Sequence, residues 1–200
     1  MNLNALNPYS LALFAHVIGA IGIFAGMGVW TFASWALRQA ERVEQARLLT
    51  GLIKASSNLV VASIFVLGVA GFYMAITVWG SQATWIVVAT ITFVLLAPLG
   101  LLVIDPRVRA IAAATRTLPD GPLPDELWAR TRDPLLATGL SVYVTTLLGI
   151  VFIMTNKPTT SVAILVAVAA AALGLLISLP LCSARAKRRV NHHAETTGQA

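Results

Sequence analysis

Charged side chains are scarce in this 200-residue sequence, and long stretches have none. Only 11% of the residues are charged, whereas a typical soluble domain carries about 25%. Four runs contain no Asp, Glu, Lys or Arg: residues 10–37, 55–104, 134–156 and 158–184. A soluble chain of this length needs a charged surface, so the pattern excludes a soluble globular protein as well as a disordered one.

Cysteine is almost absent, and the common catalytic signatures are missing. The single cysteine, Cys182, excludes a disulfide-stapled secreted domain. No phosphate-binding loop, dinucleotide fingerprint or zinc signature occurs in the sequence. The chain also lacks a Ser/His/Asp arrangement, because its runs without charge hold no carboxylate. The sequence therefore favours a role without enzymatic activity.

The four runs without charged residues consist mainly of apolar residues, and they predict an all-α bundle of five transmembrane helices. A helix needs about 20 apolar residues to cross the hydrocarbon core. The 50-residue run 55–104 is long enough for two spans, and it breaks at Gly80-Ser81-Gln82 between Trp79 and Trp85. We expect Pro134 and Pro158 in the first turns of the last two helices. The predicted spans are 10–37, 56–79, 83–104, 135–155 and 159–182.

Basic residues mark one side of the membrane. Lys and Arg number four in the 38–54 loop, five in the 105–133 loop and four in the tail 184–200. The positive-inside rule then predicts a multi-pass protein of a bacterial inner membrane, with its N-terminus outside and its C-terminus cytoplasmic. Residues 1–183 are predicted to form one bundle, and the tail, with His192 and His193, is predicted to be disordered. The basic loops suit anionic lipid headgroups, and nothing indicates nucleic-acid binding.

The two cytoplasmic loops carry helix-forming sequence. We predict that the 38–54 loop extends the first helix. In the second loop, Asp105-Pro106 should begin a short helix that runs through Ala114. Asp125 should cap another short helix, which carries Trp128.

Stripes of small residues predict where helices pack, because small side chains let helix backbones approach each other in lipid. We favour packing within one bundle over a homodimer face, and Pro98 should kink the third helix. The stripes are Ala15, Gly19, Gly22 and Gly26 in the first helix, Ser57, Val61, Ile64, Gly68, Gly71 and Ala75 in the second, and Ala163, Ala167, Ala171, Gly174 and Ser178 in the fifth.

His16 is the candidate site residue, because it lies about two turns into the first span, where a polar side chain needs a partner. We favour an interhelical hydrogen bond to a hydroxyl or carbonyl group. The alternative is a ligand for haem b or copper, with Met27 as a candidate second ligand. The candidate hydroxyl partners are Thr84, Thr90, Thr92, Thr138, Ser141, Tyr143, Thr145 and Thr146.

Three segments resemble a bacterial family of predicted integral membrane proteins of unknown function. They are Phe14-Ala15-His16-Val17-Ile18-Gly19-Ala20, Asp105-Pro106-Arg107-Val108-Arg109, and Phe152 through Pro158. That family looks distantly similar to copper-resistance D-type proteins and to haem-dependent protoporphyrinogen oxidases. The resemblance implies a small helical bundle with a histidine in its first span, and in the oxidase branch that histidine is associated with haem. Of the functional residues in that family, only the histidine of the first span has a counterpart in this sequence, His16. The polar intramembrane residues of the oxidase branch have no match here.

Three functions follow, in order of preference. The first is a membrane scaffold or accessory subunit, either a homo-oligomer or bound to another membrane protein. The second is a haem- or copper-linked protein that uses His16 as a ligand. The third is a small-solute channel or carrier with a polar pathway from Thr90, Ser141 and Thr145 past His16.

Overall fold

The computed structural model describes residues 7–80 and 83–197, with side chains up to residue 179. This part of the chain is an all-α membrane bundle, as predicted, and five of its helical segments are long and apolar enough to span a membrane. The helices are α1 Pro8–Leu37, α2 Val43–Met74, α3 Thr84–Pro98, α4 Asp105–Thr117, α5 Asp125–Thr131, α6 Pro134–Asn156 and α7 Thr160–Thr197. The side chains of Cys182, His192 and His193 lie outside the described ones, so their predictions stay predictions. The tail was predicted to be disordered from residue 184, whereas α7 continues through it as a helix to Thr197.

The start of α2 differs from the sequence prediction. The helical part of the 38–54 segment does not extend α1, because α1 ends at Leu37 and α2 begins at Val43. The side chain of Gln45 accepts hydrogen bonds from the peptide N–H groups of Glu41 and Arg42 at 3.0 and 3.3 Å. Those N–H groups precede the first turn and have no partner within the helix. Their side-chain acceptor defines the start of α2, about three turns before the apolar run begins.

Two helices change their hydrogen-bonding pattern near their ends. The chain passes from α3 through a π-helical turn, Leu99–Ile104, directly into α4. Pro98 precedes this turn and lacks an N–H group, so the regular α-helical ladder is broken where the sequence predicted a kink. A second π-helical turn, Ala75–Trp79, follows α2. α4 is thus continuous with the third span and reaches Thr117, beyond the predicted end at Ala114.

The two prolines predicted in first turns behave differently. Pro134 is the first residue of α6, and the carboxylate of Asp133 accepts the N–H of Leu135 at 3.0 Å. Pro158 lies outside the helix, because α7 begins at Thr160. That part of the prediction is wrong. Lys157 ends α6 in a left-handed conformation with φ of 49°, and Pro158 lies in the turn that follows, before α7 begins.

Helices α1 and α2 form one hairpin, and their contact is made by glycines. A Cβ on Gly19 would lie 2.8 Å from the backbone nitrogen of Leu67. A Cβ on Gly22 or Gly26 would lie closer still to the side chain of Ser63 or Val60, respectively. The small-residue stripe predicted on α1 is therefore a face that packs within the chain.

The stripe predicted on α2 is displaced from the observed contact. Val60 and Ser63 face α1, whereas Val61 and Gly68 of the predicted stripe are exposed. One residue corresponds to about 100° around a helix, so a shift of one position moves a stripe to another face. Gly71 is an exception, because it packs against His16.

Helices α6 and α7 form the second close pair, and α3 packs against both. Gly174 of α7 lies against the backbone of Val142, and Gly149 of α6 lies against Ala170. Ala163 is fully buried in a cluster with Ala89 of α3 and Ile153 of α6. The predicted stripe on the fifth span is thus also used within the bundle.

The segments 38–54 and 105–133 meet at one end of the bundle, named here the basic end. The N–H of Val43 donates to the carbonyl of Gly121 at 2.9 Å, and the N–H of Leu123 donates to the carbonyl of Glu41 at 2.8 Å. The turns that connect α2 with α3 and α6 with α7 meet at the opposite end. There the ammonium of Lys157 lies 4.4 Å from the ring centre of Trp79.

Candidate functional site

His16 sits between α1 and α2, in the half of the hairpin away from the basic end. Its Nδ1 lies 3.0 Å from the backbone carbonyl oxygen of Leu67 on α2. Gly71 makes room for the ring, because a Cβ there would lie 3.0 Å from Nδ1 and Cε1 of the imidazole. The geometry fits the preferred sequence hypothesis of an interhelical hydrogen bond, with a carbonyl rather than a hydroxyl as the acceptor.

This contact determines which ring nitrogen of His16 carries the proton. A carbonyl oxygen can only accept, so Nδ1 must be the donor and the lone pair of a neutral ring lies on Nε2. Histidines that bind metals commonly donate one ring N–H to a carbonyl group and bind through the other nitrogen. The same hydrogen bond therefore suits both the structural interpretation and the ligand hypothesis.

Met27 and His16 are not brought together. Eleven residues of the same helix separate them, which is about 16 Å along the axis at a rise of 1.5 Å per residue. Met27 is 3% exposed and belongs to the central core with Ile23 and Leu147. Two ligands of one iron or copper ion cannot be so far apart, and the structure does not pair these two side chains.

The hydroxyl groups of the hypothetical solute pathway lie apart from His16. Thr145 donates to the carbonyl of Ser141 in its own helix at 2.9 Å, and its oxygen faces Gly174 of α7. Thr90 is exposed on α3. Each position belongs to the α3–α6–α7 side of the bundle, whereas His16 is bound within the α1–α2 hairpin.

Arg47, which the sequence marked only as one of the basic residues of the 38–54 loop, holds the basic end together. The guanidinium of Arg47, on α2, donates to the carbonyl oxygens of Thr115 and Leu118 at 3.0 and 2.8 Å. It also contacts the carboxylate of Asp120 at 2.7 Å. Thr115 belongs to the last turn of α4, where carbonyl groups have no helical partners and a cation is favourable. Arg47 therefore closes the end of α4 onto α2.

Further polar contacts join the other parts of the basic end. Arg107 of α4 contacts Asp133 at 2.9 Å, and Asp133 caps α6. Glu44 accepts the N–H of Gly121 and forms an ion pair with Arg42. The Arg42 guanidinium and this peptide group hold the pKa of the Glu44 carboxyl below its ordinary value. Beneath these contacts lies an apolar cluster of Leu37, Ala40, Ala46, Ile111 and Leu127.

A groove of about 510 Å³ runs along the half of α1 nearer the basic end, between α1 and α6. We call it the α1–α6 groove. The hydroxyl of Thr31 in its wall donates within α1 to the carbonyl of Met27 at 2.8 Å, so the lining is apolar in effect. Six of its seven lining residues belong to α1, and Val144 of α6 borders it on the other side. Its lining includes Phe24, Met27, Gly28, Phe32, Trp35 and Val144.

Comparison with known proteins gives a family but no closer relative. No curated protein and no solved structure matches the chain. The expected similarity to copper-resistance D-type proteins and to protoporphyrinogen oxidases stays a prediction. A family model described as "Predicted integral membrane protein (DUF2269)" matches residues 10–158, which include His16, the basic end and four of the five spans. The chain belongs to this family of integral membrane proteins.

Proposed function

We propose that this protein is an accessory or scaffold subunit that binds another membrane protein through the outward face of α2. The observation that carries the proposal is Gly68, because a Cβ at this position would meet no described atom within 4 Å. Glycine within a helix destabilises it by about 1 kcal/mol relative to alanine. The glycines at 19, 22 and 26 offset that loss by allowing close contact with α2. Gly68 has no such contact among the described residues.

The surroundings of Gly68 fit a helix-binding face. Phe65 and Phe72 flank it one turn away on either side, and both are about 70% exposed. A small residue between large apolar side chains gives a helix surface into which a second helix can fit closely. The contact would lie within the hydrocarbon layer, since Phe65, Gly68 and Phe72 belong to the apolar run.

A photoreactive amino acid at Phe72 in intact membranes tests this proposal. We expect one major crosslinked membrane protein and at least a tenfold loss of that product when Gly68→Ile is added, because the branched side chain blocks close approach. The matched control is Gly28→Ile, which also has open space but lies on α1. A crosslinking pattern that Gly68→Ile leaves unchanged would contradict the proposal.

We further propose that the basic end faces the cytoplasm of a bacterial cell and contacts anionic lipid headgroups. The support is that the predicted cytoplasmic loops do meet at one end, while the turn with Lys157 lies at the other. Single cysteines at Arg116 and Lys157, in a Cys182→Ser background, test the orientation. A membrane-impermeant thiol reagent applied to intact inner-membrane vesicles of known sidedness should label only one of them. Labelling of Arg116→Cys from the periplasmic side would reverse the proposed orientation.

A haem- or copper-linked role is the second candidate, favoured by the Nδ1 contact that leaves Nε2 of His16 with its lone pair. An absorption spectrum and metal analysis of the purified protein, expressed with added haem precursor, test it. The His16→Ala variant should lose a stoichiometric Soret band or copper signal, while Met27→Leu should keep it because Met27 is distant. A well-folded protein without colour or metal would rule this role out.

A further inference from the structure

We infer that the partner on the outward face of α2 is a second copy of this chain, and that Asn58 pairs there with the same residue of that copy. The inference rests on the proposed role of this face and names the partner that binds it. It adds a geometry, in which the two copies of α2 run parallel and wind around each other.

The outward face of α2 has the spacing of a two-helix coiled coil. Six exposed positions follow one another at intervals that alternate between four and three residues. This repeat of 3.5 residues per turn is typical of two helices that cross with a left-handed twist. The positions, named here the α2 heptad face, are Lys54, Asn58, Val61, Phe65, Gly68 and Phe72.

Asn58 is a polar residue of this face at a depth where both neighbouring helices are uncharged. Val60, two residues further along α2, packs against Gly26 of α1. Arg38 is the first charged residue after Gly26, and it lies twelve residues further along α1, which is about 18 Å at 1.5 Å per residue. Lys54 lies one turn nearer the basic end, and its long side chain can carry the ammonium group to the interface.

The side chain of Asn58 lacks a partner in the described part of the chain. It is exposed on the helix surface, and no described residue forms a hydrogen bond with its amide group. The neighbouring hydroxyl groups of Ser56 and Ser57 differ, because both donate to the carbonyl of Ile53 in their own helix, at 2.9 and 2.8 Å. An amide without a partner is costly in an apolar medium, and lipid tails offer none. Asn58 therefore calls for a partner outside the chain.

A second Asn58 satisfies this need. The asparagine amide carries both donors and an acceptor, so two such groups can each donate to the other. Copies inserted with the same orientation have parallel α2 helices, and a two-fold axis along the membrane normal brings Asn58 opposite Asn58 at equal depth. A single asparagine in a heptad repeat is known to fix the register and the number of helices. Gly68, in the same face, lets the two backbones approach.

Disulfide crosslinking in intact membranes tests this geometry. Val61→Cys and Leu59→Cys are compared in a Cys182→Ser background, because both positions are exposed at similar depth but only Val61 belongs to the α2 heptad face. Under mild oxidation, Val61→Cys should give a product of twice the 21.2 kDa chain mass. Its yield should be about tenfold higher than that of Leu59→Cys, which lies about 200° away around the helix. Equal yields, or no such product from either variant, would overturn the inference.

Substitutions at Asn58 test the amide pair itself. Asn58→Leu should weaken association of the full chain about tenfold in sedimentation equilibrium in detergent, because it removes the interhelical hydrogen bonds. Asn58→Gln keeps a self-complementary amide and should keep most of the association. Full association in Asn58→Leu, or an equal loss in Asn58→Gln, would contradict the amide pair.

The crosslink from Phe72 separates failure of this inference from failure of the proposed function. A Phe72 product with twice the chain mass, lost in Gly68→Ile, would support both. A product with a different membrane protein, also lost in Gly68→Ile, would overturn the second copy as the partner and leave the accessory role standing. If no product depends on Gly68, the proposed function fails and the inference fails with it.

Discussion

The half of the α1–α2 hairpin away from the basic end and the basic end itself are held together by opposite means. In the hairpin, Gly19, Gly22 and Gly26 bring two backbones into contact, and His16 supplies a polar bond between them. At the basic end, arginines and backbone groups bridge three helices over a small apolar cluster. Lipid provides no hydrophobic force between helices, so close packing has to hold the hairpin. Water provides that force at the basic end, and polar bonds then fix the geometry.

The largest loss of stability is expected from a substitution at Gly19 in the hairpin. Leucine at this position would place its Cβ 2.8 Å from the backbone nitrogen of Leu67 and 2.9 Å from the carbonyl oxygen of Ser63. Backbone atoms cannot move aside as a flexible side chain can, so α1 and α2 must separate. We expect Gly19→Leu to lower the free energy of unfolding by about 3 kcal/mol or more, as measured by thermal unfolding in detergent.

Gly28→Leu is the control for this variant, because it adds the same side chain to the same helix in open space. Its melting temperature should stay near that of the unmodified protein or rise slightly through better helix propensity. Equal destabilisation by both variants would mean that the effect comes from leucine in α1 and not from contact with α2.

The difference between the two regions also explains what the sequence could predict. Runs without charge gave the five spans, because the bilayer imposes length and polarity along a single segment. The stripe of Gly19, Gly22 and Gly26 indicated packing within the chain, since a periodic pattern lies within one helix. The matching face of α2 was predicted one position away, because several small residues lie side by side there and their spacing alone cannot choose between faces.

The basic end was much less predictable. The role of Arg47 depends on partners 68 to 73 residues away in the sequence, and no local pattern reveals such a contact. The start of α2 at Val43 depended on the side chain of Gln45, which accepts two N–H groups of the preceding turn. At the candidate site, the sequence identified His16 because a polar side chain within a transmembrane span costs free energy unless it has a partner. It could not identify Leu67, because every residue of a helix offers the same carbonyl group.

Arg47→Ala should produce the next largest effect, at the basic end. It removes two bonds to carbonyl oxygens of Thr115 and Leu118 and the contact with Asp120. The side chain is 39% exposed, so water replaces part of what is lost. We expect a loss of about 1–2 kcal/mol, with faster amide hydrogen exchange in the last turn of α4. Arg116→Ala, in the same turn but with no ion pair among the described residues, should change exchange there much less.

His16→Leu should have a smaller effect, because it removes one interhelical hydrogen bond but fills the same space with an apolar side chain of similar size. Such bonds contribute about 0.6 kcal/mol on average in a membrane bundle. Unfolding in detergent measures the change, and Ile18→Leu at an exposed position of the same helix is the control. A loss several times larger would mean that the imidazole holds something beyond the Leu67 carbonyl, which would strengthen the ligand hypothesis.

The smallest expected effect is a dependence of stability on pH that involves the basic end and not the hairpin. Glu44 lies in the first turn of α2, before the apolar run and outside the membrane-spanning segment. Hydrogen bonds from Arg42 and the N–H of Gly121 lower its pKa in the folded chain, so the folded state favours the ionised form. This stability is present above the ordinary pKa of glutamate and is lost as the pH falls through the lowered value.

Glu44→Gln should therefore weaken the dependence of the melting temperature on acid, whereas Glu41→Gln, whose side chain makes no ion pair among the described residues, should leave it as it is. In the unmodified protein the effect of acid should also appear locally, as lower protection of Gly121 against hydrogen exchange after correction for the intrinsic dependence of exchange on pH, while protection at Gly19 and Leu67 stays constant. An equal response at these hairpin positions would mean that the two regions unfold as one unit. In that case the basic end would stabilise the whole bundle, and the two regions would differ in the interactions that hold them together but not in when they unfold.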